Sequence, residues 1–137
     1  MPDPRRAQRG IIDTSVVIDL EQLEPGQLPV EVAVSAITMA ELAAGPHATA
    51  DAEERARRQD RLQRAEAAFD PLPFDGEAAR AYGRIYAAEI ASGRKARGTR
   101  AVDLLIAATA CAANLPVCTR NPQDFRGLQG LVDVIAV

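Results

Sequence analysis

The most apolar run in the chain, residues 102–114 (VDLLIAATACAAN), carries one carboxylate at its head, Asp103. At helical pitch Leu104, Leu105, Ile106, Ala108, Thr109, Cys111 and Ala112 leave no polar face wide enough to meet water. The run therefore predicts a helix buried nearly all round, with the rest of the chain packed about it. Asp103 then lies at the edge of an apolar core, where a bare charge is too costly to keep. It must be hydrogen-bonded, paired or bound to a cation, unless it simply sits in the first helical turn and favours the dipole there.

A chain of 137 residues is long enough for one domain with a real core, and nothing in 1–137 marks a second. The aromatic side chains are only Phe69, Phe74, Phe125, Tyr82 and Tyr86, so the core is aliphatic and little is available for stacking on single-stranded bases. A formal net charge of −3 speaks against a chain that coats nucleic acid unselectively, although a local basic groove stays open. Cys111 and Cys118 lie in apolar surroundings and read as small hydrophobes in a reducing compartment. With His47 the only histidine, a Cys/His metal site lacks ligands. No apolar run approaches the roughly 20 residues that span a bilayer, and no apolar signal core follows the basic N-terminus, so a cytoplasmic protein without membrane contact is expected.

Residues 1–8 are polar and read as loose. Residues 9–12 then read as a short buried strand that stops at Asp13 and gives way to a helix carrying Val16, Val17 and Leu20. A carboxylate at a strand's C-terminal end is where open α/β sheets place their ligand crevices. Capping of the next helix by Asp13, Thr14 or Ser15 explains the same residues, and Asp19 reads as solvated. After a turn with Pro25, Gly26 and Pro29, VEVAVSAI reads as a second strand leading into the helix ITMAELAAG, ended by Gly45 and Pro46. Glu41 falls beside the buried stripe of that helix, though a solvated Glu is the simpler reading.

Residues 49–69 form a long helix of alternating Asp, Glu, Arg and Ala, with a thin apolar stripe, which places it at the periphery or against a second protein. DPLPF makes an extended connection. A second amphipathic helix over 75–92 is expected to turn Ala78, Ala81, Tyr82, Ile85, Tyr86 and Ile90 inward. Arg94, Lys95, Arg97 and Arg100 then form a basic loop, either simply solvated or touching a phosphate backbone. LPVCT reads as a strand, followed by a turn holding Asn121 and Asp124, with Asp124 open to a capping reading. LVDVIAV closes the chain as a short strand. The order fits an α/β sandwich with a mainly parallel sheet.

Compared by position, these scattered acids become one group. The C-terminal ends of parallel strands share an edge, so Asp13, Glu41, Asp103 and Asp124 can converge although 28, 62 and 21 positions separate them. Clustered carboxylates raise one another's pKa values. A hard divalent ion such as Mg²⁺ or Mn²⁺ removes that penalty.

Four motifs, IIDTSVVIDL, SAITMAELAAG, AVDLLIAATA and TRNPQDF, in that order and over essentially the whole chain, resemble the PIN-domain ribonucleases, most of all the VapC toxins of toxin-antitoxin pairs. The resemblance implies a PIN-like three-layer α/β/α sandwich and Mg²⁺-dependent cleavage of RNA phosphodiester bonds. It also implies a VapB-type antitoxin that blocks the site, and frequent homodimers. It places Asp13, Glu41 and Asp103 on the family's three principal acids, with Asp13 and Asp103 the most direct ligands. Where relatives often carry a fourth acid this chain has Asn121, with Asp124 three residues on; Thr14 and Thr119 match positions where a hydroxyl supports the site. A haloacid dehalogenase-type enzyme would need an Asp where Ser15 stands. A catalytically silent binding module is the remaining alternative, and it gives no reason to keep mutually repelling charges together.

Overall fold

The computed structural model describes residues 6–137; of the polar stretch 1–8, the first five residues lie outside it. Four strands, β1 (Arg9–Ile12), β2 (Glu31–Ala33), β3 (Val117–Thr119) and β4 (Val134–Ala136), form one sheet in the order β2-β1-β3-β4. Every pairing is parallel, with Ile11 opposite Ala33 on one side and Val117 on the other. Five helices accompany them: α1 (Thr14–Ile18), α2 (Ala36–Ala44), α3 (Ala52–Ala68), α4 (Gly76–Ala91) and α5 (Thr99–Ala113).

Alternate residues of a strand face opposite sides of its sheet, and this chain feeds two cores that way. Ile11 and Val117 join Ile85 of α4 with Leu104 and Ile106 of α5. Ile12 and Cys118 point the other way, into Val16, Val17, Leu42 and Ala65 from α1, α2 and α3. The outcome is the expected three-layer α/β/α sandwich, with a sheet that is wholly parallel. Gly10 lets β1 sit at the centre, because a Cβ there would come within 2.8 Å of the Pro29 ring.

Residues Leu104, Ile106, Ala107, Ala108 and Ala110 of α5 have no exposed surface. Burial of Leu104 and Ile106 contributes about 1.5–3 kcal/mol each. The helix begins at Thr99, after Gly98 at φ +57°, a conformation that suits glycine. Asp103 thus falls in the second turn, and the first turn holds no acid, so the dipole explanation does not account for it. The far end is less buried than the sequence suggests: Ala112 and Ala113 are exposed and Cys111 is half-buried.

Three further expectations change. Gly45 ends α2 as expected, but not as a left-handed cap: it is right-handed helical and carries the chain into a 3-10 turn, Gly45–Ala48, that holds the exposed His47. The strand after Pro29 is short because Val34 and Ala36 leave the sheet to bond Leu72 of the DPLPF connection. On α4 the inward stripe is Ala78, Ala81, Ile85 and Glu89, while Tyr86 and Ile90 are 44% and 52% exposed. A four-residue helical step runs from Ala81 through Ile85 to Glu89, so the carboxylate occupies the position an apolar residue would take. As expected, α3 is peripheral: Ala65 is its only buried residue, and Glu54 pairs with Arg57 at 2.8 Å and Arg58 at 3.0 Å.

Candidate active site

Because all four strands run the same way, their C-terminal ends form one rim, and β1 beside β3 is the point where the chain's connections switch direction across the sheet. That is where α/β sheets hold ligands. Asp13 follows the last residue of β1, its N–H bonded to the Cys118 carbonyl of β3 at 3.0 Å. Its side chain is nearly buried, and Oδ1 accepts from the Val16 N–H at 3.2 Å and from the Ser15 hydroxyl at 2.6 Å. Asp13 therefore caps α1, as one reading of the sequence held. Both bonds fall on one oxygen, and among the described residues Oδ2 accepts none.

Ser15 does more than the sequence suggests. It donates to Asp13 and accepts from the Arg120 N–H at 3.1 Å, tying the end of β1 to the loop after β3. Thr119, wholly buried at the end of β3, accepts from the Asn121 N–H at 3.0 Å and lies 3.5 Å from the Ser15 hydroxyl. A Ser two positions after a strand-end Asp was the available signal, but the partner that gives it meaning is more than a hundred residues away.

Glu41 lies on α2, whose N-cap Ser35 accepts from the Thr38 N–H at 3.1 Å. The Thr14 hydroxyl donates to Glu41 Oε1 and stands 3.1 Å from Thr38 Oγ1. Glu41 is thus half-buried and oriented by a hydroxyl from the helix that Asp13 caps.

Asp103 gives the clearest electrostatic sign. Burial, then the carboxylates of Asp124, Asp13 and Glu41 in that order, push its pKa up to about 7, and Arg100 offsets them only partly. Asp124 sits in the 3-10 turn Pro122–Phe125, which Asn121 precedes. The four sequence-selected acids therefore act on one point, and of the two candidates after β3 it is Asp124 that brings charge to it. Asp13 also reaches the buried Cys118, whose thiol burial and that charge push up to about 11. Such a thiol stays protonated and unreactive at neutral pH.

Among the described residues, no three His, Cys, Asp or Glu side chains are drawn close enough together to enclose an ion by themselves. The donor set is nevertheless all oxygen, one Asp13 oxygen is uncommitted, and Asp103 is held against its own ionisation by burial and then by three like charges. Those properties fit a hard divalent cation that retains part of its water.

The basic loop divides. Arg100 turns inward onto the buried Glu89, and Arg94 donates to the carbonyls of Gln123 and Arg126 at 3.2 and 3.0 Å. Lys95 and Arg97 are exposed. Asp19 closes α1 and faces Arg120 at 3.6 Å across the rim.

Comparison with known proteins agrees with this geometry. A family model described as PIN domain matches residues 11–130. Ribonuclease VapC5 of Mycobacterium tuberculosis is 39% identical over 128 residues, covering 91% of each chain. Ribonuclease VapC of Rickettsia bellii is 33% identical over 129 residues, covering 88% of this chain and 91% of the relative. The crystal structure of VapBC-5, a member of the VapBC family of toxin-antitoxin systems from Mycobacterium tuberculosis, superposes with a TM-score of 0.82 over 95% of this chain and 99% of its own. With its motifs in order, its sheet all parallel and its acids gathered at the C-terminal rim, the chain belongs to the PIN-domain family.

Proposed function

We propose that this chain is a VapC-type endoribonuclease, the toxin of a toxin-antitoxin pair, which hydrolyses RNA phosphodiester bonds with Mg²⁺, or Mn²⁺ in its place, at Asp13, Glu41, Asp103 and Asp124. The observation that carries this reading is four acids converging on the C-terminal rim of the sheet, where burial first and then the charges of Asp124, Asp13 and Glu41 hold Asp103 back from ionising. Repelling charges at one rim have a use when a cation sits among them.

Asp13, through its uncommitted Oδ2, and Asp103 are the direct ligands. A divalent ion bound there supplies polarisation of the scissile phosphate and a lowered pKa for its water. Ser15 keeps Asp13 from turning away, and Thr14 does the same for Glu41, which orients the attacking water. Asp124 contributes from the 3-10 turn after β3. Lys95 and Arg97, both exposed, hold the phosphate backbone. No histidine base is needed, in keeping with His47 standing exposed in the turn after α2. No helix among the described residues is long and apolar enough to cross a membrane, which suits a cytoplasmic RNase.

The related toxins are known with VapB partners, and a VapB-type antitoxin is the inhibitor proposed here. A homodimer would have exposed apolar side chains to cover, among them Tyr86 and Ile90 of α4 beside Ile18 and Val30.

RNA incubated with the wild type should be cut with Mg²⁺ and left intact with EDTA. Asp13→Asn, which keeps a capping side chain, and Asp103→Asn should each lose more than about 100-fold in rate. Equal cleavage in every tube would overturn the proposal, and a wild type inert under all conditions would leave the silent binding module standing.

A further inference from the structure

The carboxylate of Glu89 has no exposed surface, and nothing in the site just described uses it. Its partner, Arg100, is 14% exposed and meets it as a fork, with Nη2 on Oε1 at 2.7 Å and Nε on Oε2. Arg100 also donates from Nη2 to the Arg126 carbonyl at 3.2 Å. Arg94 reaches the same carbonyl and that of Gln123 from the other end of the loop. Two arginines therefore grip the short segment that carries Asp124, and one of them stands a single helical turn before Asp103 on α5.

We propose that the Glu89–Arg100 pair is a positioning device for the acidic rim, fixing the 122–126 turn against the start of α5 so that Asp124 and Asp103 address the same cation. This rests on the reading of the rim as a divalent-metal site.

Stability alone does not explain the pair. Replacing a buried ion pair by apolar residues of similar size is often neutral or stabilising. Here the guanidinium also leaves Nη1 buried without a partner among the described residues, which costs stability further. Charge gives no better account, since Arg100 partly offsets the field on Asp103 and a cation at the rim opposes the binding of another. What remains is geometry: the planar fork fixes the direction in which Arg100 meets the Arg126 carbonyl, which a point charge would not do. Asp124 exerts the largest effect of any charged group on Asp103, in line with a segment held close.

The charge-neutral double variant Glu89→Leu/Arg100→Met and the single variant Arg100→Lys separate placement from folding. Three quantities are read on each, beside wild type and Asp103→Asn: Tm in EDTA, Mn²⁺ affinity by titration, and kcat and KM for RNA cleavage. The double variant should keep a Tm within a few degrees of wild type, bind Mn²⁺ about tenfold more weakly and lose about tenfold in kcat at little change in KM, the range seen when groups behind metal ligands are removed. Arg100→Lys should lose severalfold in Mn²⁺ affinity with its charge intact. Wild-type Mn²⁺ affinity and kcat in the double variant would overturn the proposal, as would a lowered Tm with unchanged affinity. If the double variant does not fold, wild-type values in Arg100→Lys decide against it. Loss of Mn²⁺ binding in Asp103→Asn alone would leave the metal site standing and this device refuted; a wild type that binds no Mn²⁺ would remove both.

Discussion

The outer helix α3 and the rim of the sheet are both dense in charge, and they treat it in opposite ways. On α3, Glu54 is met by Arg57 and Arg58, while Arg64 is met by Asp60 and by Glu21 from the turn after α1. Opposite signs alternate in solvent, and each pair adds little to stability. At the rim, Asp13, Glu41, Asp103 and Asp124 share one sign with Arg100 as the nearest offset, partly withdrawn from water. The first arrangement relaxes the chain locally; the second holds a tension that a ligand can release. Like charges gathered by elements far apart in sequence are thus the better pointer to function than charge density itself.

The contrast is sharpest in its pH dependence. Asp103 is pushed from the usual carboxylate range to about 7 in the folded protein. Between about pH 4 and pH 7 the folded state therefore holds a proton that the unfolded chain has released, so metal-free stability falls as pH rises through that window and levels off above it. Half-exposure screens part of the effect, which leaves about 1–2 kcal/mol, or several degrees in Tm. Thermal melts in EDTA from pH 4 to 8 should show the decline in wild type and little of it in Asp103→Asn, which should equal or exceed wild type at pH 8. Mg²⁺ should restore the wild type there and leave the variant unmoved. A drop in Tm for Asp103→Asn in metal-free buffer would make Asp103 a structural residue and remove the contrast.

A smaller effect is expected from Ser15→Ala. It removes the hydroxyl between Asp13 and the Arg120 N–H, at a cost of about 1 kcal/mol by melting and about tenfold in cleavage rate. Unaltered cleavage at unaltered stability would show that Asp13 is fixed by its capping bond alone. The smallest effect belongs to α3: Glu54→Ala should leave Tm nearly at the wild-type value, with any loss diminishing in added salt, and leave cleavage untouched.

Much of this was legible in the chain itself. The strand at Arg9–Ile12 coincides with its expected limits, because an apolar run that ends at an acid and a Thr-Ser pair has few other conformations. The helices over 49–69 and 75–92 lie within one to three residues of their expected ends, marked by Asp51 and Asp75 as caps. What the pattern missed depends on partners distant in sequence. Glu89 reads as a polar-face residue until Arg100 is beside it; Tyr86 and Ile90 read as core because hydrophobicity alone does not reveal which of two apolar stripes the neighbouring helix covers. Gly45 and Pro46 do end α2, yet proline is tolerated in the first turn of the 3-10 segment that follows, so the chain goes on coiling. Of the basic loop, side-chain type could not separate Arg94 and Arg100, committed to carbonyls and Glu89, from the exposed Lys95 and Arg97.

The double duty of Asp13 has a genetic corollary. An oxygen that fastens the first turn of α1 cannot be deleted without weakening the fold, whereas loss of Asp103 is expected to relieve it. Were the chain produced unchecked in growing cells, surviving lineages should accumulate lesions at codon 103 that leave abundant, inert protein. Survivors altered to alanine at codon 13 should instead contain little of it.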